Sequence, residues 1–245
     1  MPVLALLLLV IQIAFAVHAV KTGRDTFWVY IIIFVPAIGC AVYFFTQVLP
    51  DLQQSRTVRS TGNSLLKAID PQRELRRRKE NLEIADTQVN RLQLADECVE
   101  AELYDEAIAL YESCLQGFHK TNPAIMLKLA QACFQAHKND RTKQILESLI
   151  QENPDFKSAD GHLLYARALE NLHLLDAALE EYRVLAETYP GEEGRVRYGL
   201  LLMRMNRQPD AHAVFENVLL RAKRSHKFYR KKEAKWIAMA QDNAN

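Results

Sequence analysis

The segment LYDEAIALYESCL at residues 103–115 decides the fold, because related segments recur three times further along the chain. They read NDRTKQIL at 139–146, LDAALEEY at 175–182 and QPDAHAVFENVL at 208–219. Each copy contains a small central residue, and these lie 35, 36 and 33 positions apart at Ala107, Thr142, Ala178 and Ala211. A regular spacing of this length predicts a chain built by stacking copies of one supersecondary unit.

Two further positions recur with the same spacing. A large apolar residue stands four positions after each central residue, and a small residue stands twelve positions before it. Small side chains allow two antiparallel helices to approach closely, and a large side chain one turn later fills the adjacent gap. The large residues are Tyr111, Leu146, Tyr182 and Phe215, and the small ones are Ala95, Ala130, Ala166 and Gly199.

This pattern, with Pro154 and Pro190 ending two of the units, resembles the tetratricopeptide repeat. The resemblance implies an all-α solenoid of about four helix-turn-helix repeats, because a single helix pair cannot bury its own apolar face. We predict repeats over residues 88–221, followed by a basic capping helix and tail over 222–245. The predicted units are 88–121, 123–156, 159–191 and 192–221.

Residues 1–49 are much more apolar than the repeats. The stretches Val3–Val20 and Phe27–Leu49 each approach the roughly 20 apolar residues that a helix needs to cross a bilayer, and a short polar turn separates them. We therefore predict a transmembrane helical hairpin over 1–49. The alternative is that the first stretch is a cleaved signal peptide, but no Lys or Arg precedes it.

Basic residues are concentrated after the second apolar stretch, between Arg56 and Lys79. The positive-inside rule then predicts two spans in a bacterial inner membrane, with the N- and C-termini in the cytoplasm. Residues 50–87 are predicted to be a basic cytoplasmic linker that is partly helical. Asp70-Pro71 has the composition of a helix start within it.

The segment from His18 to Phe44 resembles the two-span N-terminal region of bacterial cardiolipin synthases. The shared features are a basic turn, the aromatic pair Phe27-Trp28 and the pattern P-x-x-G-x-x-x-Y from Pro36 to Tyr43. Those enzymes require a catalytic H-x-K-x-x-x-x-D motif, and no His in this chain is followed by Lys two positions later. The resemblance therefore implies a similar anchor without the catalytic machinery.

Charge is distributed unevenly along the chain. The net charge is +3 over residues 1–87, −8 over 88–220 and +6 over 221–245. The basic C-terminal segment is predicted to cap the solenoid and to expose its basic residues to solvent. The alternative is that these residues contact anionic lipid headgroups. The acidic repeat body argues against nucleic-acid binding.

The first helix of each tetratricopeptide unit lines a concave groove that binds peptides or helices of partner proteins. Carried over position by position, the resemblance implies that the groove of this chain displays Leu92, Asp96, Leu127, Gln131, Phe134, Arg167, Glu170, Leu200 and Arg204. One subclass grips the C-terminal carboxylate of chaperone tails with Lys and Asn. That clamp is absent here, because its positions hold Leu92, Asp96, Lys128, Asp160 and Leu164.

No motif for catalysis is present in the sequence. It contains no glycine-rich phosphate loop, no serine nucleophile elbow and no metal-binding motif, so we expect no enzyme, no cofactor and no small-molecule substrate. The predicted function is a membrane-anchored scaffold that binds protein partners on the cytoplasmic side. The alternatives are a regulator or assembly factor of phospholipid and envelope-lipid synthesis, and an enzyme with an unrecognised site.

Overall fold

The computed structural model describes residues 2–23, 25, 27–48, 70 and 72–244, and every regular element in these ranges is a helix. Contacts divide the chain into two compact units, Met1–Arg73 and Glu74–Asn245. The all-α prediction is therefore confirmed. Most of the predicted linker lies outside the described residues.

Among its described residues, the N-terminal unit has three α-helices, α1 (Pro2–Lys21), α2 (Phe27–Phe34) and α3 (Pro36–Tyr43), and a π-helical turn over Phe44–Val48. They pack around a small cluster of Ala19, Ile32, Cys40 and Tyr43.

The predicted membrane spans are not found. Among the described residues, no helix is both long and apolar enough to cross a bilayer. The prediction of two spans, an inner-membrane location and cytoplasmic termini is therefore wrong.

The second predicted span fails for a local reason. Proline has no backbone N–H, so Pro36 cannot donate to the carbonyl of Ile32 and the helix breaks there. The resulting helices α2 and α3 have eight residues each, or about 12 Å, against a hydrocarbon core of about 30 Å. The Gln12 side chain instead donates to the Ile32 carbonyl at 2.8 Å.

The second unit contains four helix pairs in series, each a first helix followed by an antiparallel second helix. The pairs are α5 (Gln88–Glu100) with α6 (Tyr104–Cys114), α7 (Pro123–Gln135) with α8 (Asn139–Glu152), α9 (Ala159–Asn171) with α10 (Leu175–Thr188), and α11 (Glu193–Arg204) with α12 (Gln208–Arg224). A short 3-10 turn, Gly117–His119, follows the first pair.

The repeated positions identified in the sequence form the core of these pairs. All twelve are buried, and eight of them are 0% exposed. The small residues lie where the first helix crosses the second, and the large residues fill the space beside them. The spacing of small and large residues therefore predicts the helix crossings correctly.

The turn inside each pair has the same backbone geometry. One residue per turn has a left-handed conformation, with φ of 59° at Glu102, 58° at His137, 59° at His173 and 60° at Asn206. The next residue donates its N–H to a carbonyl five positions earlier, as in Lys138 to Cys133 at 2.9 Å. This is the Schellman motif, in which glycine is usual because it has no Cβ.

Replacing His137 with glycine is expected to stabilise the protein by about 0.5–1 kcal/mol. A left-handed conformation costs a non-glycine residue roughly 1–2 kcal/mol, and the greater freedom of glycine in the unfolded chain offsets part of the gain. Urea unfolding of the full chain, followed by far-UV circular dichroism, measures the change. Gln135→Gly, two residues earlier in α7, is the control and should destabilise. A loss of stability in both variants would contradict this account.

Further helices cover both ends of the solenoid. At the start, α4 (Arg73–Ile84) buries Leu75 against the first repeat, and Arg78 Nη1 donates to Gln93 Oε1 at 2.5 Å. At the end, the predicted single helix is instead two helices, α13 (Lys227–Lys232) and α14 (Ala234–Asn243). The chain changes direction at Glu233, a buried residue.

A buried polar cluster holds this C-terminal segment to the fourth repeat. The Glu233 carboxylate accepts the backbone N–H of Glu192 at 3.0 Å, just before α11 begins. The Glu192 carboxylate is fully buried and accepts bonds from Arg195 at 3.3 Å, Arg221 at 3.2 Å and Tyr229 at 2.8 Å. Burial and the bond to Glu192 raise the pKa of Tyr229.

Candidate functional site

The candidate site is the groove along the first helices of the four pairs, α5, α7, α9 and α11. Of the nine residues predicted to line it, Gln131 and Arg204 are exposed and the other seven are half-buried. None is fully buried. We use the name groove below for the surface formed by these nine side chains.

Between α5 and α7 the groove contains a hollow of about 240 Å³ whose lining includes Asp96, Val99, Tyr111, Lys128 and Gln131. Lys128 Nζ donates to both oxygens of Asp96, at 2.8 and 2.7 Å. Tyr111 donates its hydroxyl to Asp96 at 2.6 Å. Burial raises the pKa of the Tyr111 phenol, and the bond to Asp96 raises it further. Asp96 is therefore already occupied by two donors.

Between α7 and α9 the contact is a cation–π interaction. The guanidinium carbon of Arg167 lies 4.6 Å from the centroid of the Phe134 ring. Burial is the main cause that lowers the pKa of Arg167, and the nearby positive charge of Arg197 contributes next. Arginine nevertheless stays protonated in proteins.

Between α9 and α11 the contact is an ion pair. Arg204 Nη1 donates to Glu170 Oε1 at 2.5 Å, and Tyr182 donates its hydroxyl to Glu170 Oε2 at 2.8 Å. Each pair of neighbouring first helices is thus joined by a side-chain contact in the groove, so polar and aromatic side chains form a strip across all four repeats.

The three predicted leucines behave differently from the polar residues. Leu92, Leu127 and Leu200 are half-buried because each packs against the hydrophobic core of its own region. They expose apolar edges to the groove rather than whole side chains.

The sequence reasoning missed Lys128, Tyr111 and Tyr182 as groove partners. Lys128 lies almost one helical turn before Gln131 and contacts Asp96 of the preceding repeat, which the repeat spacing alone did not indicate. The two tyrosines were assigned only a packing role, which left their hydroxyl groups out of account.

A second concavity of about 650 Å³ lies on a different part of the solenoid, between α8 and α10. Its lining includes Ile150, Phe156, His162, Glu181 and Val184. His162 Nε2 lies 2.6 Å from Glu181 Oε2, so this histidine has a carboxylate partner that the sequence spacing did not indicate. We call this concavity the outer cleft.

The cysteines of the solenoid are buried structural residues. Cys98, Cys114 and Cys133 are 0%, 4% and 0% exposed, and burial raises the pKa of Cys133 to about 11. Among the described residues, no group of three or more His, Cys, Asp or Glu side chains is arranged to hold a metal ion.

Comparison with known proteins agrees with this geometry. Residues 99–160 match the family model of the tetratricopeptide repeat, whereas no curated protein sequence matches the chain significantly. Among solved structures, the MamA RS-1 ArsTM double mutant is similar with a TM-score of 0.54 and 15% identity, over 64% of this chain and 88% of that one.

Two solved structures described as tetratricopeptide proteins are also similar. TTC0263 of Thermus thermophilus has a TM-score of 0.51 and 14% identity, over 69% of this chain and 88% of that one. YrrB, described as having an unusual peptide-binding site, has a TM-score of 0.50 and 15% identity, over 68% of this chain and 91% of that one. At these identities the likeness shows the fold, which is the tetratricopeptide solenoid.

The comparisons give no support to a resemblance between residues 1–49 and cardiolipin synthases.

Proposed function

We propose that this protein is an interaction scaffold that binds a segment of a partner protein in the groove. The observation that carries the proposal is the continuous strip of Asp96–Lys128, Phe134–Arg167 and Glu170–Arg204 contacts across four repeats. Repeat solenoids use the extended surface that runs along their repeats for binding, and the strip lies along the first helices that form this surface. The solved structure described as having a peptide-binding site shares this fold, which supports the same kind of use.

The groove suits a peptide or helix better than a small molecule. Its polar groups are spread along four helices instead of converging on one enclosed pocket, and the hollow at Gln131 is open and only about 240 Å³. Small-molecule sites are usually concave pockets of about 300–1,000 Å³ in which a few polar groups converge. Neither the described residues nor the comparisons support the alternative of a lipid-synthesis regulator.

Site-specific photocrosslinking in the full chain tests the proposal. A photoreactive residue replaces Gln131 in the groove, Gln144 on α8 as a matched exposed glutamine, or Ile150 in the outer cleft. We expect Gln131 alone to capture a defined protein that mass spectrometry identifies. The captured protein is then purified and titrated against Gln131→Trp, which should weaken binding at least tenfold, and against Gln144→Trp, which should not.

Three results would contradict the groove assignment. Capture at Ile150 but not at Gln131 would move the binding site to the outer cleft. Equal capture at Gln131 and Gln144 would indicate nonspecific contact, and unchanged binding by Gln131→Trp would show that the partner lies elsewhere.

A further inference from the structure

We propose that Arg167 receives a carboxylate side chain of the partner segment, so that the groove selects an acidic residue placed beside an apolar one. This inference rests on the proposed function, because it names the chemistry of the segment that the groove binds. It assigns to Arg167 a binding role beyond lining the groove.

The first observation is that the Arg167 guanidinium contacts an aromatic ring but has no carboxylate partner among the described residues. The guanidinium carbon of Arg167 lies over the Phe134 ring, 4.6 Å from its centroid, and a cation–π contact leaves most of the five N–H groups of an arginine able to donate. Among the residues that the structure describes, no carboxylate forms an ion pair with Arg167. Two arginines of α11 differ, since Arg204 is paired with Glu170 and Arg197 is paired with Glu193 at 2.7 Å.

The second observation concerns charge. Arg197, Glu170 and Glu193 act on the charge of Arg167, and Arg204 pairs with Glu170. These three arginines and two glutamates together carry one positive charge in excess. Arg167 is half-buried, and its burial disfavours the charged form. A negative group that fits the guanidinium fork would offset this cost.

The same neighbours decide between kinds of anion. A carboxylate brings one negative charge, which matches the excess. A phosphorylated side chain brings about −1.5 to −2, and the carboxylates of Glu170 and Glu193 would repel the additional charge. The structure therefore favours Asp or Glu over a phosphorylated residue.

The apolar requirement follows from the Phe134 ring beside the guanidinium and from two leucines at other positions of the groove. The Phe134 ring and the exposed edges of Leu127 and Leu200 lie at groove positions on the same strip of helices. An aliphatic or aromatic side chain next to the acidic one would cover this surface. Arg167 does not stand at any position of the chaperone-tail clamp, so the proposed contact is distinct from that clamp.

Peptide selection on the full chain tests the inference. A phage-displayed library of random 12-residue peptides is selected on the wild-type protein, on Arg167→Gln and on Arg183→Gln. Arg183 is the control because it is exposed on α10 and pairs with Glu180 of its own helix. We expect wild type and Arg183→Gln to enrich peptides with Asp or Glu beside an apolar residue, and Arg167→Gln to lose the acidic preference.

The best wild-type peptide is then synthesised with its acidic residue intact or changed to the amide. For the wild-type protein, the amide should raise the Kd about tenfold, as expected for one charge-assisted bond. For Arg167→Gln, the two peptides should differ less than threefold. Arg167→Lys keeps the charge but loses the planar fork, so it should retain a reduced preference for the acidic peptide over its amide. This variant keeps the test valid if Arg167→Gln does not fold.

The outcomes separate the two proposals. Enriched peptides without acidic residues, or an amide penalty that is the same for wild type and both Arg167 variants, would overturn the carboxylate assignment. Groove binding would still stand if Gln131→Trp blocks those peptides. Peptides that bind wild type and Gln131→Trp equally, or a library that yields no binder at all, would count against both proposals.

Discussion

Replacing Glu192 with alanine is expected to destabilise the solenoid by about 3–5 kcal/mol, because breaking a buried ion pair leaves its partner charge uncompensated. The Glu192 carboxylate is fully buried and accepts bonds from Arg195, Arg221 and Tyr229. Arg195 is itself buried, so without Glu192 its guanidinium would keep, among the described residues, only the carbonyl of Gly191 at 3.1 Å. The loss should loosen α13 and α14 from the fourth repeat.

Fluorescence of Trp236 reports this loosening. The chain has two tryptophans, so a Trp28→Phe background leaves only Trp236, which is half-buried on α14 with the Arg197 guanidinium 5.2 Å from its ring. We expect a red-shifted emission in Glu192→Ala and a lower urea midpoint. Glu187→Ala, an exposed glutamate on α10, is the matched control and should change neither. Unchanged emission in Glu192→Ala would show that the cluster does not hold the cap.

Replacing Phe215 with alanine is expected to lower the free energy of unfolding by a similar amount, about 3–5 kcal/mol. The Phe215 ring is completely buried and faces Gly199, where an added Cβ atom would lie 2.6 Å from the ring. The ring therefore fills the helix crossing of the fourth repeat. Its removal leaves a cavity that α11 and α12 cannot close without moving together.

Phe228→Ala provides the matched control, since the Phe228 side chain is 75% exposed. It should change the urea midpoint by little, because surface substitutions usually lie within about 0.5 kcal/mol. Gly199→Ala adds a methyl group on the opposite helix of the same crossing. It should also destabilise the protein, by about 1–3 kcal/mol, because the methyl group overpacks the space that the Phe215 ring fills. Equal stability of Phe215→Ala and wild type would contradict the assignment of this crossing.

Part of the groove could be predicted from the sequence. Repeat spacing places Asp96, Gln131, Phe134, Arg167, Glu170 and Arg204 at corresponding positions of successive first helices, and the structure brings them onto one strip. The spacing does not determine which charges pair. Asp96 binds Lys128 and Tyr111, and Arg167 stacks on Phe134, because side-chain directions and the offset between neighbouring helices decide these contacts. The binding role of the strip stays a prediction.

The sequence by itself determined the all-α solenoid and its helix crossings. That information is local and periodic, since small and large residues one helical turn apart specify where two helices can touch. The tertiary structure alone decided two other features: the left-handed turns at non-glycine residues, and the break of the C-terminal helix at Glu233. The last depends on a bond between residues 41 positions apart, and hydrophobic periodicity contains no information about a partner so distant in the chain.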